Sequence, residues 1–107
     1  MKNFPACLDL LEQPNRTIGI FFNTDERYVE HSFKTVVQEP PVALIINHRY
    51  LSIVNPFTSS SVHFINISTE DKLMQLRGMR FTHSFFEGLL FSNEQLRTVA
   101  SRVRPFR

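Results

Sequence analysis

The sequence predicts a small α/β protein with a single sheet of about five strands and three to four helices, in a three-layer-like arrangement. Residues 62–107 have the pattern strand, helix, strand, helix with short connections, which is the order that builds a layered α/β sheet. Residues 17–23 are almost continuously apolar, as is typical of a strand covered on both faces. With 107 residues, of which 42% are hydrophobic, the chain is long enough for one core. We therefore expect one domain over residues 1–107, with an N-terminal helix (1–14), a body of sheet and helices (17–104) and a tail (105–107).

Apolar spacing divides the chain into alternating elements. Strands are predicted at residues 17–23, 42–47, 50–55, 62–67 and 80–86. Helices are predicted at residues 4–13, from Thr24 to Glu39-Pro40-Pro41, from Ser68 or Thr69 to Gln75 or Arg77, and from Ser92 to about Val103. The strand at 42–47 is expected to be buried, and residues 47–49 either turn it back as a hairpin or form a bulge in one long strand. Residues 55–61, rich in serine, are predicted to be the most mobile loop.

Helix-capping residues mark three predicted boundaries. Thr24 is a plausible N-cap of the second helix because acidic residues follow it in the first turn. Gly78 is well placed to stop the third helix. Ser92 and Gln95 have the spacing of a capping box, in which each residue satisfies a backbone N–H of the other.

Arginine is concentrated in the last third of the chain. The net charge is only +2, yet residues 77–107 hold six arginines against Glu87 and Glu94. Arginine makes bidentate contacts with phosphates and carboxylates, so this segment predicts a surface for nucleic acid or an acidic protein. The predicted binding residues are Arg77, Arg80, Arg97, Arg102, Arg104 and Phe106. A solvated surface that happens to be arginine-rich, with Phe106 only tucking the tail onto the body, explains the pattern equally well.

Motifs for catalysis or cofactor binding are incomplete. The glycines are widely separated and no Gly-Lys-Ser/Thr occurs, so there is no phosphate-binding Walker A loop. One cysteine and four scattered histidines do not have the spacing of a zinc site. Ser59–Ser61 lack a nucleophile elbow and are better explained by loop solubility. We therefore expect no metal, no cofactor and no enzymatic activity.

Cysteine content and hydropathy bear on location. Cys7 is the only cysteine, so no intrachain disulfide can form and a reducing compartment is expected. No apolar run is long enough to cross a bilayer, and the first residues lack the long apolar run of a secretory signal. These features predict a cytoplasmic protein with no membrane partner. They do not indicate an oligomeric state.

Glu87 is the strongest single candidate for a functional residue. It is predicted to lie at the carboxyl end of a strand, where α/β sheets bind their ligands. A carboxylate at this position coordinates Mg²⁺ or polarises water in many enzymes. The favoured alternative is that Glu87 begins a loop, caps a helix, or pairs with Arg77 or Arg80, because no second acidic residue precedes it.

From residue 62 onward the sequence resembles the middle of P-loop ATPase domains, especially those of phage large terminases and helicase-like motors. The matching strings are Val62-His63-Phe64-Ile65, Leu76-Arg77-Gly78-Met79-Arg80-Phe81 and Ser84-Phe85-Phe86-Glu87. Residues 17–37 resemble the strand and helix that follow the P-loop in such domains. Walker A is absent here, and Phe86 replaces the first acid of Walker B. The resemblance implies a shortened relative, of phage or mobile-element origin, that kept the sheet and lost ATP hydrolysis.

Three functional hypotheses follow. The leading one is a non-enzymatic binding protein that contacts nucleic acid or an acidic partner through the arginine-rich C-terminal surface. The second is a protein–protein inhibitor or assembly factor. Its exposed anchors would be Phe57, Phe91 and Phe106. The third and weakest is a small metal-dependent hydrolase that uses Glu87 with His83, and it also needs Glu70 or Asp71 nearby.

Overall fold

The computed structural model describes residues 1–38, 43–88 and 90–104, and within them it confirms the small α/β fold. The elements in chain order are α1 (Phe4–Leu11), β1 (Thr17–Phe22), α2 (Glu26–Val36), β2 (Ile45–Asn47), β3 (Ser52–Asn55), β4 (Ser60–Asn66), α3 (Glu70–Met74), a 3₁₀ turn (Gln75–Gly78), β5 (His83–Glu87) and α4 (Asn93–Ser101). None of the helices in these residues is long and apolar enough to cross a membrane.

The five strands that are described form one mixed sheet in the order β2-β3-β4-β1-β5. The central strand β1 runs parallel to both neighbours, and Ile20 lies opposite Phe64 on β4 and Phe85 on β5. Strand β3 is antiparallel to β2 and β4. Because β1 has a partner on each side and helices over each face, its residues after Thr17 are all buried. This explains why the strand is continuously apolar rather than alternating.

The core has two layers, one on each face of the sheet. On the first face, α1 and α2 cover a cluster that includes Phe22, Phe33 and Phe64. On the second face, α3, the 3₁₀ turn and α4 cover a cluster that includes Phe21 and Phe81. Aromatic pairs in both layers, such as Phe21–Phe81 at 5.2 Å between ring centroids, each add about 0.5–1.5 kcal/mol beyond burial. Successive residues of β1 thus enter opposite layers, and the predicted three-layer arrangement is confirmed.

The predicted hairpin is confirmed, but the prediction that its first strand is buried is wrong. Strand β2 pairs with β3 in antiparallel register, with Ile46 opposite Ile53. Ile45 is 54% exposed because β2 lies at the edge of the sheet and has a strand on one side only. The helix before it ends at Val36, and the predicted stop at Glu39-Pro40-Pro41 lies outside the described residues.

The serine-rich segment at 55–61 forms a hydrogen-bonded hairpin turn between β3 and β4 rather than an open loop. The Asn55 side chain accepts a bond from the Phe57 N–H at 3.0 Å and donates one to the Leu11 carbonyl at 3.0 Å. Strand β4 begins at Ser60, earlier than the predicted residue 62. The turn is therefore tied to the C-terminal end of α1.

Two further boundaries differ from the prediction. Asp25, not Thr24, is the N-cap of α2, since its carboxylate accepts a bond from the Arg27 N–H at 2.8 Å. Strand β5 begins at His83 rather than residue 80. Two other predicted caps are confirmed: Thr69 caps α3, and Ser92 with Gln95 forms the capping box of α4. Gly78 does not cap α3, because α3 ends at Met74 and Gly78 is the last residue of the 3₁₀ turn that follows.

Candidate functional sites

The parallel strands give the sheet two chemically different ends. Strands β1, β4 and β5 point the same way, so their first residues lie along one edge, the amino edge, and their last residues along the other, the carboxyl edge. Strand β1 has six residues, which separates the two edges by about 20 Å. Arginines gather at the amino edge, and Glu87 lies at the carboxyl edge.

A short backbone bridge gathers three of the predicted arginines at the amino edge. The Phe81 N–H donates to the Arg102 carbonyl at 2.8 Å, and the Arg104 N–H donates to the Phe81 carbonyl at 2.6 Å. Phe81 and Val103 therefore form an isolated parallel β-bridge, with chains about 5 Å apart. This pairing puts Arg80, the residue before Phe81, beside the segment that carries Arg102 and Arg104.

Arg16, which was not among the predicted binding residues, adds a fourth positive charge. It directly precedes β1, and the Thr82 N–H donates to the neighbouring Thr17 carbonyl at 2.8 Å. Burial and, second, the charge of Arg16 lower the pKa of His83 from its usual 6.5. We call Arg16, Arg80, Arg102 and Arg104 the amino-edge arginines. Arg80 and Arg104 are exposed, and the other two are half-buried.

The remaining predicted arginines lie elsewhere. Arg77 lines a groove of about 410 Å³ between α3 and α4, together with Glu70 and Glu94, so the charge there is mixed. Arg102, one of the amino-edge arginines, lines this groove as well. Arg97 is exposed on the far side of α4, about 200° around the helix from the buried Val99. Phe106 lies outside the described residues. The structure thus divides the predicted binding set between an edge, a groove and an outer helix face.

Glu87 is the last residue of β5, at the carboxyl edge as predicted, and it borders an open crevice. The crevice has a volume of about 370 Å³. We call it the carboxyl-edge crevice; its lining residues are Asn23, Thr24, Tyr28, Glu87, Gly88, Leu90 and Phe91. It lies beside β1 and β5, whose following helices α2 and α4 cover opposite faces of the sheet. Such switch points are where open α/β sheets bind ligands.

Two aromatic rings form the walls of the carboxyl-edge crevice, and both are held by phenylalanines of the sheet. Tyr28 on α2 packs edge to face on Phe22, with ring centroids 6.4 Å apart. Phe91 packs edge to face on Phe86 at 5.0 Å. Gly88, with a φ of +99°, turns the chain sharply after β5, a backbone conformation that favours glycine.

The Glu87 side chain faces the helix α1. The Asn3 amide donates to Glu87 Oε2 at 3.4 Å and to the Phe86 carbonyl at 3.3 Å. Burial and, second, the negative charge of Glu87 raise the pKa of the Cys7 thiol to about 12. Within the described residues, Glu87 forms no ion pair, and Arg77 and Arg80 precede the amino end of its strand.

The residues proposed for a hydrolase do not come together. His83 and Glu87 occupy opposite ends of β5, about 13 Å apart along the strand. Glu70 lines the groove on the second face, whereas Glu87 faces α1 on the first. In the described ranges no group of three His, Cys, Asp or Glu side chains could hold a metal ion.

Strand β4 carries a serine–histidine pair, Ser61 and His63, that was not predicted from the sequence. Ser61 Oγ lies 2.9 Å from His63 Nε2, because residues two apart share one face of a strand. Burial lowers the pKa of His63 from its usual 6.5. The backbone N–H groups around the pair lie in a strand with neighbours on both sides, where they are needed for the sheet. The pair therefore lacks the free N–H donors that stabilise an oxyanion.

Of the phenylalanines predicted as partner anchors, Phe57 is the exposed one among the described residues. It is 83% exposed at the tip of the β3–β4 turn. Phe91 is half-buried in the carboxyl-edge crevice. Phe57 also borders a cavity of about 350 Å³ that Leu8 and Leu11 of α1 help to line.

Comparison of the chain with protein-family models, curated proteins and solved structures found no significant match. The resemblance to P-loop ATPases and the phage origin that it implies therefore stay predictions.

Proposed function

We propose that this is a non-enzymatic protein that binds a polyanion, with nucleic acid as the first candidate, through the amino-edge arginines. The observation that carries the proposal is the Phe81–Val103 bridge. It joins two segments that are far apart in sequence and thereby concentrates positive charge that would otherwise be dispersed. Two of the four side chains, Arg80 and Arg104, are exposed and accessible to a ligand.

Salt dependence gives the proposal a quantitative form. Each phosphate that an arginine neutralises releases counterions, so the logarithm of affinity falls with the logarithm of salt concentration. The slope is about −0.9 per neutralised phosphate on duplex DNA and about −0.7 on single strands. If Arg80 and Arg104 each contact a phosphate, their removal changes the slope by about 1.8 on duplex DNA.

The test measures fluorescence anisotropy of short labelled single-stranded and duplex oligonucleotides between about 50 and about 200 mM salt. The Arg80→Ala/Arg104→Ala double variant is compared with Arg27→Ala/Arg49→Ala, which removes the same charge from exposed sites elsewhere. We expect a weaker affinity and a shallower slope for the first variant and an unchanged slope for the second.

Two results would contradict this expectation. Equal losses in the two double variants would assign binding to net charge rather than to the amino edge. Binding that is absent or insensitive to salt would remove nucleic acid as the ligand. Polyglutamate is titrated under the same conditions. Salt-dependent binding to polyglutamate but not to the oligonucleotides would indicate that the amino-edge arginines bind an acidic protein.

A protein-binding role through Phe57 is the second candidate, because a phenylalanine exposed at 83% on a well-anchored turn is a typical interface anchor. A pull-down from the native host, with and without nuclease, separates the two candidates. A partner lost from Phe57→Ala but retained by the arginine variant and after nuclease treatment supports this role. A partner lost on nuclease treatment supports the polyanion proposal.

A further inference from the structure

We propose that the carboxyl-edge crevice binds a small organic ammonium ion, an amine with a short alkyl chain. This site lies at the opposite edge of the sheet from the amino-edge arginines and does not depend on the polyanion proposal.

Glu87 brings a negative charge to the carboxyl-edge crevice. As a residue Glu87 is half-buried, and the hydrogen bond that its carboxylate accepts from Asn3 comes from a neutral amide at a long 3.4 Å. In the part of the chain that is described, no cation forms an ion pair with Glu87. A partly desolvated carboxylate gains most from a ligand that brings both positive charge and N–H donors.

Two aromatic side chains stand beside this charge. Tyr28 and Phe91 line the same crevice as Glu87, and each ring is held in place by edge-to-face packing on the sheet. Aromatic faces attract cations, and Tyr28, at 53% exposed, is accessible to a ligand. Leu90, 84% exposed at the rim, offers apolar surface to an alkyl chain.

The size of the crevice and the side chains that line it also favour an ammonium ion. A volume of about 370 Å³ is at the lower end of small-molecule sites, which suits an amine rather than a nucleotide. Mg²⁺ and Ca²⁺ require six or more oxygen ligands. Among the described lining residues Glu87 is the one carboxylate, and the walls beside it are aromatic. One carboxylate with two aromatic rings matches an ammonium ion better than a hard metal ion.

The probes are n-butylammonium, its neutral analogue n-butanol, and Mg²⁺, each titrated into the ¹⁵N-labelled full chain. We expect n-butylammonium to shift the backbone amides of Asn23 and Gly88. We expect n-butanol to bind at least about tenfold more weakly, because it lacks the charge-assisted bonds. Nα-acetyl-lysine amide is titrated in parallel. Tighter binding of this lysine derivative than of n-butylammonium identifies a protein side chain as the source of the ammonium group, and the reverse identifies a free amine.

Glu87→Gln keeps the shape of the side chain and removes its charge, and it should weaken n-butylammonium binding by at least about tenfold. Glu30→Gln is the matched control, since it removes the same charge from an exposed position of α2. Tyr28→Leu, which keeps Glu87 but removes an aromatic wall, should weaken binding about two- to fivefold.

Three outcomes would overturn the site. One is equal n-butylammonium binding by wild type and Glu87→Gln, both folded by circular dichroism. Another is n-butanol binding as tightly as n-butylammonium. The third is that Mg²⁺ shifts the backbone amide signals of Asn23 and Gly88 and n-butylammonium does not. If Glu87→Gln fails to fold, Tyr28→Leu still tests the proposal. Wild-type affinity of Tyr28→Leu for n-butylammonium would show that the Tyr28 wall does not contribute to binding and would refute the site.

Discussion

Adding one methyl group at Gly19 tests how tightly the second face of the sheet is packed. Gly19 lies in the central strand β1, and its missing side chain faces two buried rings. A Cβ there would lie 2.7 Å from two carbons of the Phe21 ring and 3.1 Å from the Phe81 ring. Phe21 and Phe81 are almost completely buried and pack edge to face, so neither can move away without disturbing the core.

The cost of Gly19→Ala follows from two opposing terms. Overpacking a dense core by a methyl group costs about 1–3 kcal/mol. Replacing glycine by alanine in a strand recovers about 0.5–1 kcal/mol of backbone entropy. The middle of each range gives a net loss of about 1.3 kcal/mol in the free energy of unfolding. A domain of this size loses about 4–8 °C of Tm for each kcal/mol.

Urea denaturation and calorimetry measure this loss, with Gly78→Ala as the control. A Cβ at Gly78 would meet no atom within 4 Å, so we expect a change within about 0.5 kcal/mol. In a Phe21→Leu background the extra cost of Gly19→Ala should shrink, because the nearest ring carbons are gone. A Gly19→Ala protein as stable as Gly78→Ala would refute the packing that the structure describes.

The other predictions concern helix caps and titrating groups. Ser92→Ala should cost about 1 kcal/mol in urea denaturation, because Ser92 Oγ caps the Gln95 N–H. Gln95→Ala should cost more, about 1–3 kcal/mol, since its side chain also donates to the Ile67 carbonyl at 2.9 Å. Cys7 should resist the thiol reagent DTNB in the native state and react on unfolding. Its pKa is raised from 9.0 to about 12, so stability should fall as pH rises from 9.0 to about 12, where the unfolded thiol ionises first. The lowered pKa of His63 predicts the opposite trend, with stability retained above pH 6.5 and lost as pH falls below it.

A specific experimental result would contradict each of these predictions. Equal costs for Ser92→Ala and Gln95→Ala would remove the role of the Ile67 bond. Rapid reaction of Cys7 in the folded protein would contradict its burial. Identical stability profiles at acidic pH for wild type and His63→Gln, or at alkaline pH for wild type and Cys7→Ala, would remove those groups as the source of the pH dependence.

Local patterns predicted the fold well where they had a single interpretation. The apolar residues of β1 indicate a strand buried on both faces, and Ser92 with Gln95 indicates a helix start. The position of β2 was not predictable in the same way, because a short apolar run has the same composition at an edge as in the centre of a sheet. Thr24 and Asp25 are both good caps, so only the geometry decides between them.

The candidate sites were predicted in part for the same reason. The placement of Glu87 follows from its own strand, and the structure confirms it. The grouping of Arg80 with Arg104 depends on the Phe81–Val103 bridge, and the contribution of Arg16 depends on the pairing of β1 with β5. Contacts between such distant residues leave no periodic signal in the sequence. The wall formed by Tyr28 was missed likewise, because it depends on how α2 packs.

The contacts at the outer side of β5 have a consequence for self-association. A strand at the margin of a sheet is a template on which foreign strands aggregate. In the described part of the chain, the Arg102 carbonyl and the Arg104 N–H bond to the N–H and carbonyl of Phe81 before this strand, and the Asn3 amide donates to the Phe86 carbonyl near its end. Four residues, or about 13 Å of backbone, lie between these contacts and remain open to a strand from another chain. Breaking either of these contacts would leave more of the outer side of β5 open to pairing with other chains, and this would favour fibril formation.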